Sequence, residues 1–178
     1  GIVRRIDDLG RVVVPKEIRR TLRIREGDPM EIFTNREGEI ILKKYSPIGE
    51  IDSFAKQYAE SLAQVSGYRI VITDRDQVIA VAGGTKKELI GRGISKELEN
   101  LLEARENLTT ENGVEKAIPI VEGMEAPEMD QIIYPIICEG DVIGSVVLMS
   151  KTEKQQVSDT EKKLVSVAAD FLGRQMES

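Results

Sequence analysis

The feature that most limits how this chain can fold is a break at Ser46-Pro47-Ile48-Gly49-Glu50, where Pro and Gly interrupt periodicity and the charge balance changes sign. It divides the 178 residues into a head of residues 1–47, a linker of 48–51 and a tail of 52–178. A head of that size lies near or below the length at which one chain buries an adequate core. Two heads are therefore expected to share one core, as an obligate homodimer.

The head reads as β-β-α-β-β. Ile2–Ile6 is rich in β-branched residues, and Asp7-Asp8-Leu9-Gly10 supplies turn chemistry into a second strand, Arg11–Val14, which predicts a hairpin. Pro15 sits where a helix begins, and Lys16–Leu22 gives one or two turns with Ile18 and Leu22 on one face, closed by Gly27-Asp28-Pro29. Met30–Thr34 and Glu39–Lys44 read as strands around Asn35-Arg36-Glu37-Gly38, with Gly where positive φ is tolerated.

Net charge is −6, which alone argues against nucleic acid; its distribution reverses the argument. Residues 1–47 hold 11 Lys+Arg against 8 Asp+Glu, whereas residues 48–178 hold 14 against 23. Within residues 1–25 there are 8 basic and 3 acidic side chains, and seven of the eight are arginine. Guanidinium forks suit phosphates and guanine edges better than ammonium groups do. Arg4, Arg11, Arg19 and Arg20 lie on the first strand, after the turn and on the short helix, and are expected to converge on one face of a dimer.

Other chemistries lose their usual residues. There is no histidine, so the commonest general base and transition-metal ligand are missing, and the single Cys138 builds neither a disulfide framework nor a zinc site. Cys138 ends an apolar strand and reads as a small core residue. No cofactor and no metal are expected, and no enzymatic activity. No apolar run approaches the roughly 20 residues that span a bilayer. The sequence begins at Gly1 without Met and shows no signal-peptide pattern, so a few missing N-terminal residues and a cytoplasmic location are expected.

In the tail, Asp52 or Ser53 is expected to cap a helix carrying Phe54, Tyr58, Leu62 and Val65, ending at Gly67. Arg69–Thr73 and Gln77–Val81 read as a hairpin, and Ser95 caps a helix with Ile94, Leu98, Leu101 and Leu102. Glu115–Val121, Gln131–Cys138 and Val142–Ser150 are strand-like. Ser158-Asp159-Thr160-Glu161 is a capping box opening a helix through Met176, with Leu164, Ala168, Phe171 and Leu172 as its buried stripe. Hairpins without βαβ alternation imply an antiparallel α+β domain.

The run from Gly1 to Leu22, GIVRRIDDLGRVVVPKEIRRTL, closely resembles the N-terminal module of AbrB-type transition-state regulators, and the match continues through Glu26-Gly27-Asp28 and Ile40–Tyr45. The resemblance implies a swapped-hairpin β-barrel in which two chains share one core. It implies DNA-contacting arginines at Arg4, Arg11, Arg19 and Arg20, with Arg5 and Lys16 as lesser additions. The tail, through Val142-Ile143-Gly144-Ser145-Val146-Val147 and its closing helix, resembles a GAF domain. Such domains hold small ligands between the sheet and a helical flank, here residues 84–114, or serve as dimer interfaces. Gly83-Gly84-Thr85 offers backbone N–H groups to an anion, or forms a simple turn.

Together these imply a nucleoid-associated regulator of sporulation genes, activator or repressor, that binds double-stranded DNA, dimerises through the head and forms a homotetramer through the tail, with a small-molecule effector as a further partner. Two alternatives follow from the same features. The swapped-hairpin head also occurs in antitoxins of toxin-antitoxin pairs, although those carry a short disordered tail. A GAF-type methionine sulfoxide reductase would need reactive cysteines, which one Cys in an apolar strand disfavours.

Overall fold

The computed structural model describes residues 1–48, 52–111 and 115–177; positions 49–51 of the linker, residues 112–114 of the flank and the capping role of Asp52 or Ser53 lie outside the described residues. The chain forms two compact units, Gly1–Tyr45 and Ser46–Ser178.

In the first unit, α1 (Lys16–Thr21) follows Pro15, whose φ of −58° is already helical, and its i,i+4 spacing places Lys16 beside Arg20. Strands β1 (Met30–Thr34) and β2 (Ile40–Lys44) pair antiparallel, Met30 opposite Lys44 and Thr34 opposite Ile40. The first predicted hairpin keeps its turn: Gly10, at φ +77°, donates to Asp7 O at 3.1 Å, and Asp7 N donates to Arg11 O at 3.0 Å. Its arms, residues 2–6 and 11–14, do not form a regular ladder. An isolated two-stranded ribbon is marginal without a further surface to pack on.

The second unit is a five-stranded antiparallel sheet of order β4-β3-β7-β6-β5, from β3 (Arg69–Asp74), β4 (Val78–Ala82), β5 (Leu108–Thr109), β6 (Gln131–Cys138) and β7 (Asp141–Met149). Alternation sends Ile70, Ile72, Ile132, Val146 and Leu148 to one face and Val71, Ile133 and Val147 to the other, so both faces are buried. The first face is covered by α2 (Asp52–Ser66) and α4 (Asp159–Gln175), the second by α3 (Lys96–Glu103) and its neighbouring loops. Ser95 caps α3 as expected, its hydroxyl accepting Leu98 N at 3.0 Å while it donates to Pro119 O at 2.5 Å. The capping box of α4 also forms, with Ser158 N donating to Glu161 Oε2 at 3.0 Å.

Two expectations need correction. Glu115–Val121 is no strand; Pro119 has no N–H to give a ladder, and the β pairing of the segment among the described residues is the isolated Ile94–Val121 bridge, beside which Ile120 O accepts Ser95 N at 2.8 Å. The fifth strand is instead the short β5. The buried stripe of α4 is Val165, Ala168, Ala169, Leu172 and Gly173, rotated from the expected one. Gly173 explains the rotation, since any Cβ there would come within 2.1 Å of Ile137 O; the helix lies flush on β6 at this point, Phe171 turns toward α2, and Leu164 is partly buried at the edge of the cluster.

Candidate nucleic-acid interface

Every residue expected at the interface, Arg4, Arg5, Arg11, Lys16, Arg19 and Arg20, is exposed. Two of them are tied to the same arm of the first hairpin. Arg11 leaves the turn at its start, and Arg19 reaches back from α1 to donate from Nε to Val14 O at 3.1 Å. Lys16, Arg19 and Arg20 stand at i, i+3 and i+4, one side of a helix of six residues. Arg4 folds back on its own arm of the hairpin, Nη1 donating to Val3 O at 3.0 Å. Thus Lys16, Arg19 and Arg20 share one short helix, Arg19 is tied to the arm that Arg11 begins, and Arg4 and Arg5 lie on the opposite arm.

One bonded partner of these residues was missed in the sequence. Asp7 accepts Leu9 N at 3.0 Å and Arg11 N at 2.8 Å on Oδ1, and the Arg11 guanidinium Nε at 2.8 Å on Oδ2. These bonds, led by the Arg11 backbone and then its side chain, hold the Asp7 carboxyl below its ordinary range. The signal available was an acidic residue at a turn start, four positions before an arginine.

The head has a second property that bears on its use. α1 buries no residue, and neither apolar cluster of buried side chains among the described residues includes one from residues 1–45. Val3 is 87% exposed and Ile32 68%, although both lie in segments read as strands.

In the tail, Gly83-Gly84-Thr85 lines an open groove of about 500 Å³ with Glu60, Gln64, Lys87 and Lys151. Gly83 and Gly84 take φ of +76° and +95°, and Thr85 donates to Ala82 O at 3.2 Å, which is turn chemistry. The expected flank packs onto the sheet through Ile94, Leu98, Leu102 and Leu108. Cys138 is buried, and that burial, followed by Glu139, raises its thiol pKa; a protonated thiol is a poor nucleophile. No helix among the described residues is long and apolar enough to cross a membrane.

Comparison with known proteins separates the head from the tail in the same way. Residues 50–177 match the family model described as stage V sporulation protein T C-terminal, transcription factor, and residues 3–50 match that of antidote-toxin recognition MazE, bacterial antitoxin. The chain is 51% identical to stage V sporulation protein T of Bacillus subtilis (strain 168) over 177 residues, 99% of this chain and 97% of that one. It is 62% identical over 47 residues to the transition state regulatory protein AbrB of the same organism, 26% of this chain and 48% of that one. Among solved structures, a methyl-accepting chemotaxis protein fragment matches with TM-score 0.57 and 16% identity, over 71% of this chain and 93% of that one. The GAF domain of a phosphoenolpyruvate-protein phosphotransferase from Coxiella burnetii matches with TM-score 0.54 and 13% identity, over 70% and 81%. These structural likenesses establish the GAF-like α+β fold of the tail. The antitoxin alternative is not favoured, because the tail that would distinguish it is a folded domain matched by the transcription-factor model. An AbrB-like DNA-binding head and a GAF-like domain in one chain, at this identity over its whole length, place the protein in the stage V sporulation protein T family of transcription factors.

Proposed function

We propose that this protein regulates sporulation genes from the cytoplasm, where it associates with the nucleoid, by binding duplex DNA through Arg4, Arg11, Arg19 and Arg20, with Arg5 and Lys16 adding to the contact. The division of labour follows the expected boundaries: residues 1–47 bind and dimerise, 48–51 connect, and 52–178 assemble or sense. The observation that carries this reading is the head itself, in which arginines are gathered on residues 11–20 while its apolar residues stay uncovered within one chain. A second head would bury those residues and duplicate the basic face, bringing two arginine sets to one duplex.

Tetramerisation through the tail is supported by the outer side of α2 and α4. Phe171 stacks on Phe54 at 6.0 Å and on Tyr58 at 5.5 Å, leaving Phe171 38% exposed, and Val167 on the same helix is 63% exposed. A second copy of this face would cover an apolar strip rimmed by polar residues. The groove beside Gly83 is of a size that holds small ligands and is the place in this domain for an effector. We read the chain as a regulator without enzymatic activity, in keeping with its kinship to a transcription factor.

Fluorescence anisotropy with a labelled duplex tests the interface. Arg20→Ala, an exposed change on α1, weakens binding by about tenfold or more while the melting temperature stays put. Unchanged affinity with unchanged melting removes Arg20 from the interface.

A further inference from the structure

The head builds the same loop twice, with an arginine at the fifth position of one, Arg11, and a glutamate at the fifth position of the other, Glu39. In the first, Asp7 opens a turn closed by Gly10 N on Asp7 O at 3.1 Å; in the second, Asn35 opens one closed by Gly38 N on Asn35 O at 3.4 Å. Both glycines are left-handed, at φ +77° and +82°. Both opening residues use Oδ1 to accept two backbone N–H groups, Leu9 at 3.0 Å and Arg11 at 2.8 Å in one loop, Glu37 and Glu39 at 3.0 Å each in the other. Each also holds the side chain four residues on: Asp7 Oδ2 accepts Arg11 Nε at 2.8 Å, and Asn35 Nδ2 donates to Glu39 Oε2 at 2.5 Å.

The comparison isolates what the carboxylate of Asp7 adds. Asn35 shows that an amide oxygen suffices to organise the backbone of such a loop. The second oxygen of Asp7 is therefore free to serve the Arg11 side chain, and it does so at the surface, where the Arg11 side chain is 70% exposed. A guanidinium held through Nε keeps the four N–H groups of its terminal nitrogens, and a guanine O6/N7 edge is read by two such groups in parallel.

We propose that Asp7 is a positioning residue of the DNA interface: by gripping Arg11 through Nε it aims the terminal guanidinium edge at a base and opposes its use as a loose phosphate contact. This rests on the assignment of Arg11 to that interface. Two consequences follow from charge and order together. A pre-aimed arginine loses less freedom on binding the right sequence, which favours selected DNA. The carboxylate cancels one positive charge per head, which weakens attachment to any DNA, since sequence-independent binding depends on phosphate neutralisation. Asp7 thereby widens the gap between chosen and arbitrary sequences from both sides.

The test uses the full chain and two duplexes, the sequence most enriched by the wild-type protein from a random library and a scrambled version of it. Anisotropy titrations across a salt series give the affinity ratio of the two duplexes and the slope of log affinity against log salt. Asp7→Asn keeps the loop, as Asn35 does in its counterpart, and releases Arg11. It is expected to lower the ratio by about tenfold, chiefly by tightening the scrambled duplex, and to steepen the scrambled-duplex slope by about two per head dimer, with melting unchanged. In an Arg11→Ala background the same change should leave ratio and slope where Arg11→Ala puts them. Wild-type ratio and slope in Asp7→Asn overturn the proposal, and so does an equal effect with and without Arg11. Wild-type binding by Arg11→Ala alone overturns instead the assignment of Arg11 to the interface.

Discussion

The side-chain amide of Gln131 binds both main-chain groups of Ile118, its Oε1 accepting Ile118 N at 2.9 Å and its Nε2 donating to Ile118 O at 3.0 Å. Gln131 is fully buried, so a strand of the sheet uses a side chain to supply the pair that a neighbouring strand would otherwise give. Gln131→Leu leaves the partly buried N–H and C=O of Ile118 unpaired and is expected to cost about 1 to 3 kcal/mol of stability. Urea unfolding should show a lower midpoint, with DNA affinity unchanged below the transition because the change lies outside the head. A midpoint equal to wild type would mean that the flank is held by its apolar contacts alone.

That relationship also marks where reading the sequence runs out. The apolar β-branched run of Glu115–Val121 resembles a strand, but whether it pairs depends on Gln131, which is distant in sequence, and on Pro119, which has no N–H to donate. Elements whose signals are local were legible: the Pro15 helix start, the Asn35–Gly38 hairpin, the Ser95 cap and the Ser158–Glu161 box all lie where turn and cap chemistry put them. The stripe of α4 was not, because helical spacing allows a face to rotate by one residue and only the Gly173 contact with Ile137 O selects the rotation. At the interface, arginine type and position were plain from sequence, whereas the grip of Asp7 on Arg11 needed the turn geometry.

Asp74 carries a pH signature. Its residue is buried, Oδ1 accepts Asp76 N at 2.7 Å and Gln77 N at 2.8 Å, and Oδ2 meets Ser46 Oγ at 3.2 Å. Burial, the largest influence, raises its pKa above the ordinary 3.8 despite these bonds. A carboxyl raised in the folded state contributes stability that is present below its unfolded value and lost as pH rises through its folded value. Asp74→Asn keeps the Oδ1 acceptor and does not titrate. The stability difference, variant minus wild type, should therefore grow as pH rises above 3.8 and then level off. A difference that stays flat or shrinks would show that Asp74 is better stabilised as an anion than its burial implies.

The tetramer proposed through the tail has a clean test variant. Val167→Glu places a charge on the exposed strip beside Phe171 without touching the buried side of α4. Sedimentation of the full chain should change from tetramer to dimer, with the tail still folded by circular dichroism. On one long duplex the salt slope should fall from about −10 to about −5, since one head dimer then neutralises on the order of six phosphates. An unchanged tetramer would move the contact to another face.

The measurement that bears most directly on the whole account is the DNA affinity of the full chain after all four principal arginines are removed. With Arg4, Arg11, Arg19 and Arg20 changed to Ala, sedimentation and melting should report the wild-type assembly, because each side chain is exposed and none belongs to a buried cluster. Anisotropy across a salt series should then show affinity reduced by at least about a thousandfold at low salt, and a slope much shallower than the wild-type dependence, the remainder being what Arg5 and Lys16 supply. A folded variant that binds the same duplex with the wild-type slope would place the DNA contact elsewhere on the chain and contradict the account.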